Sequence, residues 1–207
     1  MTKKSIIITG TSGFLGAAAY TAYRDHGGYV IHTLEGIDLT DNDKVREAIN
    51  GIETIDVLIN IAGGFIWKEI RHTSYSDFEE QLNKNFKTMY NVTMAALEKI
   101  ENSKSGRIIN IGATGAINPG PGMAAYAISK SAVMRFTEVL ASETGDHVTV
   151  NAILPSIIDT PVNRENMKEA DFSKWVTTKE LVDQMVFLTS DMASGINGAL
   201  IPVAGRI

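Results

Sequence analysis

Tyr126 and Lys130, four residues apart in Tyr126-Ala127-Ile128-Ser129-Lys130, are the side chains with the clearest chemical meaning in this sequence. On a helix that spacing puts a phenol and an ammonium on one face. A neighbouring cation favours phenolate, so the spacing predicts that Lys130 draws the tyrosine pKa down from about 10 toward the range of a working general acid or base. Such a pair alone recurs on many helices without consequence. Here it follows a Gly-rich stretch, Asn118-Pro119-Gly120-Pro121-Gly122, and the apolar run Arg107 to Ile111. That order places both side chains at the carboxyl edge of a sheet, where α/β proteins bind ligands.

A second constellation lies near the N-terminus. Thr9-Gly10-Thr11-Ser12-Gly13-Phe14-Leu15-Gly16 comes directly after an apolar run and opens a helical pattern, the context a dinucleotide-binding glycine motif requires. Gly10 would permit the tight turn, Gly13 a close approach to a pyrophosphate, and Gly16 close packing of the helix, whose N-terminus faces the phosphates. An acidic residue about 20 positions on commonly holds the adenosine ribose, and Glu35 stands there. Its charge opposes an added 2′-phosphate, and residues 29–41 hold no Lys or Arg to accept one. NAD(H) is therefore expected as the favoured cofactor, with NADP(H) the alternative; a solvated turn carboxylate is the other reading of Glu35.

These residues need a scaffold that brings both ends together. Short β-branched runs at 6–9, 29–34, 55–60, 107–111, 147–154 and 199–203 alternate with helical patterns at 14–27, 41–51, 76–101, 123–143 and 178–190. This is the βαβ signature of a single Rossmann-type, doubly wound parallel sheet covered on both faces. One interval is too short. Asp38-Leu39-Thr40-Asp41 already reads as the cap of the next helix, with Asp41 or Thr40 at N-cap, and Glu35-Gly36-Ile37 cannot form the crossover of roughly a dozen residues between parallel neighbours. The usual third strand is expected to be missing, leaving six parallel strands.

Composition narrows the function classes. Nineteen Lys and Arg against 24 Asp and Glu give a net charge of −5 without a basic run, which disfavours a nucleic-acid partner. The chain has no cysteine, excluding disulfides and thiolate sites. Its four histidines are scattered, so no metal is expected. The first apolar run is far shorter than a membrane span and lacks a cleavage region, pointing to a cytoplasmic protein acting on a small-molecule substrate.

With the glycine motif, Asn60-Ile61-Ala62-Gly63, Tyr126/Lys130 and Leu154-Pro155-Ser156-Ile157-Ile158-Asp159-Thr160 in this order and spacing, the chain resembles the short-chain dehydrogenases/reductases over nearly its whole length. The resemblance implies that Tyr126 protonates the substrate atom that receives hydride, that Lys130 binds the nicotinamide ribose, and that Asn85 supports a proton-relay water. It also implies cofactor contacts from Ala62, Gly63, Pro155, Ile157 and Thr160, and adenine contacts from Asp38 and Leu39. A polar residue inside a helix remains the alternative for Asn85, and a helix N-cap the alternative for Thr160. The family's paired helices, near 78–101 and 123–143 here, imply a homodimer or homotetramer.

Two departures bear on activity. Ala113 stands where the family carries its catalytic serine, and the neighbouring Thr114 would face the opposite way on a strand unless a bulge intervenes. The glycines are spaced Gly10-x-x-Gly13-x-x-Gly16, unlike most members. Both departures resemble the quinonoid dihydropteridine reductase branch, as do Ala62-Gly63-Gly64 and the stretch from Leu154 to Trp175. The implied activity is hydride transfer to an electron-poor C=N or C=O, with Phe65 and Trp67 able either to stack on a flat substrate or simply to pack under their loop. The alternatives are a generic carbonyl reductase or alcohol dehydrogenase that uses Thr114 or water for the serine, and a non-catalytic dinucleotide-binding regulator.

Overall fold

Each strand of the sheet runs parallel to its neighbours. The computed structural model describes residues 3–206. Strands β1 (Lys4–Ile8), β2 (Tyr29–Thr33), β3 (Val57–Asn60), β4 (Gly106–Ile111), β5 (Val148–Pro155) and β6 (Leu200–Val203) form one sheet in the order β2-β1-β3-β4-β5-β6. All pairings are parallel, with Ile6 opposite Val57, Val57 opposite Arg107 and Arg107 opposite Thr149. The strands are apolar on both faces because helices cover both. Helices α1 (Phe14–His26) and α7 (Thr178–Thr189) pack on Ile6, Ile8, Val57, Ile59, Ile109 and Ile153. On the other face α2 (Asn42–Asn50), α4 (Thr88–Glu101) and α5 (Ala124–Glu143) cover Ile7, Leu58, Ile108 and Val150.

As expected, the usual third strand is absent among the described residues, and six parallel strands form the sheet. After β2 the chain turns at Gly36, whose φ of +78° favours glycine, and Asp41 caps α2 by accepting from the amides of Asp43 and Lys44. Leu34, Ile37 and Leu39 tuck against the α2 side of the core, so this connection is held by burial instead of strand pairing. Among the described residues no helix is long and apolar enough to cross a membrane.

The helix expected over 76–101 is not continuous. It comprises α3 (Tyr75–Leu82) and α4, joined by a π turn at Asn83–Lys87. Such single-turn insertions commonly sit at functional sites, and this one carries Asn85. Between β5 and α7 a short helix, α6 (Pro161–Asn166), also lies outside the regular βα alternation.

Candidate active site

The carboxyl edge of the sheet opens into a cavity of about 500 Å³ lined from both ends of the chain. Gly10, Ser12, Gly13, Phe14, Leu15 and Gly16 form one wall, Ala62, Gly63 and Phe65 another, and Asn85, Tyr126, Lys130, Pro155 and Thr160 the rest. Ile61, Gly64, Ile111, Gly112, Ser156 and Ile158 complete the lining. Of these, Ile61, Gly64, Ser156 and Ile158 lie inside the sequence motifs without an expected contact of their own, and Ile111 and Gly112 stand at the carboxyl end of β4.

The glycine loop is shaped by contacts only glycine allows. Gly10 has φ +71°, and a Cβ there would meet the Ala62 nitrogen at 2.8 Å. A Cβ on Gly16 would lie 2.0 Å from the Gly10 carbonyl oxygen, so Gly16 lets α1 close on its own loop more than on the sheet. Gly13 is the N-cap of α1 without a side-chain cap, and the first turn holds no acid. Its amide end therefore faces the cavity uncompensated, which suits a phosphate. Thr9, the first residue of the motif and given no role from sequence, braces the loop: its hydroxyl accepts from the amides of Ile61 and Ala62, each at 3.0 Å.

Glu35 stands outside the cavity lining, but the Thr11 hydroxyl donates to it at 2.7 Å, holding that carboxylate against the glycine loop. Asp38 and Leu39 do not reach the cavity. The Asp38 carboxylate accepts from the backbone amide and the hydroxyl of Thr40, which lower its pKa, and Leu39 packs on the core with its carbonyl accepting from Asn91.

Lys130 is buried, and its ammonium donates to the Ile111 carbonyl at 2.7 Å; burial pulls its pKa down to about 8. The tyrosine departs from expectation. Burial, not the lysine, dominates and pushes the Tyr126 phenol up to about 12; Phe65 stands edge-on to its ring, centroids 4.8 Å apart. A neutral phenol at neutral pH is a proton donor held ready, the state that reduction requires.

Asn85 positions this centre. Its side chain accepts from the Gly64 amide and donates to the Gly64 carbonyl, both at 2.9 Å, and donates to Ser129 Oγ at 3.0 Å. Ser129 in turn donates to the Tyr126 carbonyl at 2.7 Å. With its side chain committed in this way, Asn85 binds the Gly63-Gly64 loop to the tyrosine's helix. Thr160 caps α6 by accepting from the Asn163 amide at 3.2 Å while lining the cavity, and its hydroxyl proton stays available to donate. The side chain of Ile157 is not in the lining; Ile158 takes the place expected for it.

Ala113 is extended and buried. The Thr114 hydroxyl donates to the Pro155 carbonyl at 3.2 Å and does not line the cavity, so no bulge turns it into the serine's place. Trp67 is laid on Gly122, with its indole N–H donating to the Pro121 carbonyl at 3.0 Å. That clasp ties the loop after β3 to the Gly-rich loop before α5.

Among the described residues no cluster of His, Asp or Glu is arranged to hold a metal. The uncapped α1 terminus, the glycine cradle and the buried Lys130 fit a nicotinamide dinucleotide.

Known proteins share this fold. Residues 4–171 match the short chain dehydrogenase family. The 3-oxoacyl-[acyl-carrier-protein] reductase FabG of Aquifex aeolicus is 30% identical, over 97% of this chain and 86% of its own. Among solved structures, ligand-free aldohexose dehydrogenase of Thermoplasma acidophilum superposes with a TM-score of 0.90 at 25% identity, covering 99% of this chain and 94% of that one. A 3-oxoacyl-[acyl-carrier protein] reductase with bound NAD from Brucella melitensis gives a TM-score of 0.86 at 23% identity, over 100% and 91% of the two chains. The chain thus belongs to the short-chain dehydrogenase family of NAD(P)-dependent oxidoreductases.

Proposed function

We propose that this oxidoreductase reduces an electron-poor C=N or C=O group with NADH in preference to NADPH, a substrate class to which quinonoid dihydropterins belong. The observation that carries this reading is the missing second donor beside Tyr126: Ala113 offers no hydroxyl, and Thr114 is turned onto Pro155. With one polarising donor instead of two, an unactivated ketone loses much of its oxyanion stabilisation, whereas a bond already polarised by its own conjugation tolerates the loss.

The dinucleotide, when bound, supplies the hydride. Tyr126 holds the phenolic proton beside the cavity, Lys130 offers its ammonium to the nicotinamide ribose, and Asn85 keeps the Gly63-Gly64 loop against the catalytic helix. The Glu35 carboxylate, steadied by Thr11, repels a 2′-phosphate and supports the preference for NADH. Assembly as a homodimer or homotetramer is supported by α4 and α5, which expose Tyr90, Met94, Ile128 and Val139.

Steady-state reduction of quinonoid dihydropterin and of a ketone panel, followed by NADH absorbance, tests the activity. Turnover of the conjugated substrates with little on plain ketones is expected. Efficient turnover of plain ketones moves the reading to a generic carbonyl reductase.

A further inference from the structure

Of the two aromatic residues in the connection after β3, Phe65 lines the cavity and Trp67 does not. Trp67 reaches the Gly-rich loop instead. Its indole covers Gly122, where an added Cβ would lie 2.3 Å from the ring, and its N–H donates to the Pro121 carbonyl at 3.0 Å. The amide of Lys68 donates to the Gly122 carbonyl at 2.9 Å. Gly122 has φ +79°, so glycine suits this position for its backbone as well as for the space the indole occupies.

The clasp closes a frame around the proton donor. Gly122 stands two residues before α5, and Tyr126 lies in that helix's first turn. On the other side of Phe65, Asn85 holds both the amide and the carbonyl of Gly64 and also donates to Ser129 on α5. Lys68 adds a third tie: its ammonium donates to the Asp77 carboxylate at 2.7 Å, in the first turn of α3, the helix that leads into the π turn carrying Asn85. Phe65 therefore sits between two fixed points, Gly64 and Trp67, with its ring edge-on to Tyr126. Trp67 is 57 % exposed, so core packing does not account for its placement, whereas the frame does.

We infer that Trp67 is a positioning residue for reduction: its clasp on Gly122 fixes Phe65, and with it one wall of the cavity, against the Tyr126 ring, so that substrate meets the phenolic hydroxyl in one geometry. This rests on the reductase reading and adds a residue to it. Misplacing a reacting group by about 1 Å can lower a rate about 10²-fold, which gives a clasp outside the cavity its leverage on the chemistry.

Two substitutions release the clasp from opposite sides. Trp67→Ala removes the indole, and Gly122→Ala displaces it with a methyl group. On the best substrate of the dihydropterin and ketone panel, each should lower kcat about 10–10²-fold, change KM less, and leave the NADH dissociation constant unchanged. Trp67→Phe, which keeps a ring over Gly122, should retain most of the rate. Ile70→Ala, at a 64 % exposed position of the same connection, should behave as the natural protein does. Because the chain contains no cysteine, Ile66→Cys supplies a readout apart from turnover: a thiol between Phe65 and Trp67 should react with a maleimide several-fold faster once Trp67→Ala or Gly122→Ala is added, as the segment opens locally. Thermal melts establish that each variant folds, and if Gly122→Ala does not, Trp67→Ala decides alone. A natural kcat without the clasp, an NADH affinity that falls in step with kcat, or an unchanged maleimide rate overturns the inference and leaves the reductase reading standing. Absence of turnover by the natural protein with NADH and with NADPH defeats the proposed function, and the positioning role with it.

Discussion

The Lys130 ammonium lies 2.7 Å from the carbonyl oxygen of Ile111, on the last residue of β4, and this single contact anchors a cation that is otherwise buried. A shift from 10.5 to about 8 corresponds to a cost on the order of 3 kcal/mol for keeping the charge inside the fold. Because the folded pKa is depressed, that cost is full below pH 8 and fades between 8 and 10.5 as the folded chain releases the proton that the unfolded chain still binds. Lys130→Met should therefore melt higher than the natural protein at pH 6, with the gap closing by pH 10, while reduction is lost. A variant that melts lower at pH 6 would show that the contact with Ile111 outweighs the burial.

The phenol and the threonine can be separated by substitution. Tyr126→Phe should lower kcat by about 10²–10⁴-fold, as for loss of a general acid. Thr114→Val should change kcat little, because its hydroxyl serves Pro155. Installing a hydroxyl with Ala113→Ser should favour plain ketones over conjugated substrates. A kcat defect of about 10²–10³-fold in Thr114→Val, the scale of one lost oxyanion donor, with normal folding and NADH affinity, would place Thr114 in the serine's role.

Cofactor choice is expected to follow Glu35. Fluorescence titration should give a dissociation constant for NADH several-fold below that for NADPH, and Glu35→Arg should reverse the order by replacing repulsion with a phosphate partner. Equal constants in the natural protein would remove Glu35 from the discrimination.

The glycine loop offers a contrast within one motif. Gly16→Ala places a methyl group 2.0 Å from the Gly10 carbonyl oxygen and should cost about 1–3 kcal/mol of stability, as overpacking does, together with most dinucleotide affinity. Gly13→Ala meets only that same oxygen, at 3.4 Å, and should fold normally. Calorimetry and NADH titration of both variants check this; equal damage from the two would contradict the packing argument.

Much of this was legible in sequence because it depends on neighbours along the chain. Gly10 to Gly16 had to form a loop opening a helix, Tyr126 and Lys130 had to share a helical face, and three residues after β2 could not span a crossover, so the missing strand was an arithmetic consequence of chain length. Other features depended on contacts between distant segments. The register of α3 and α4 around the π turn sets Asn85 against Gly64 and Ser129, and helical periodicity alone gave no sign of the interruption. Whether Thr114 faces the substrate was decided by the Pro155 carbonyl 41 positions away. The tyrosine pKa reversed its expected direction for the same reason: charge proximity can be read from spacing, but desolvation is set by the segments that the fold gathers around the ring.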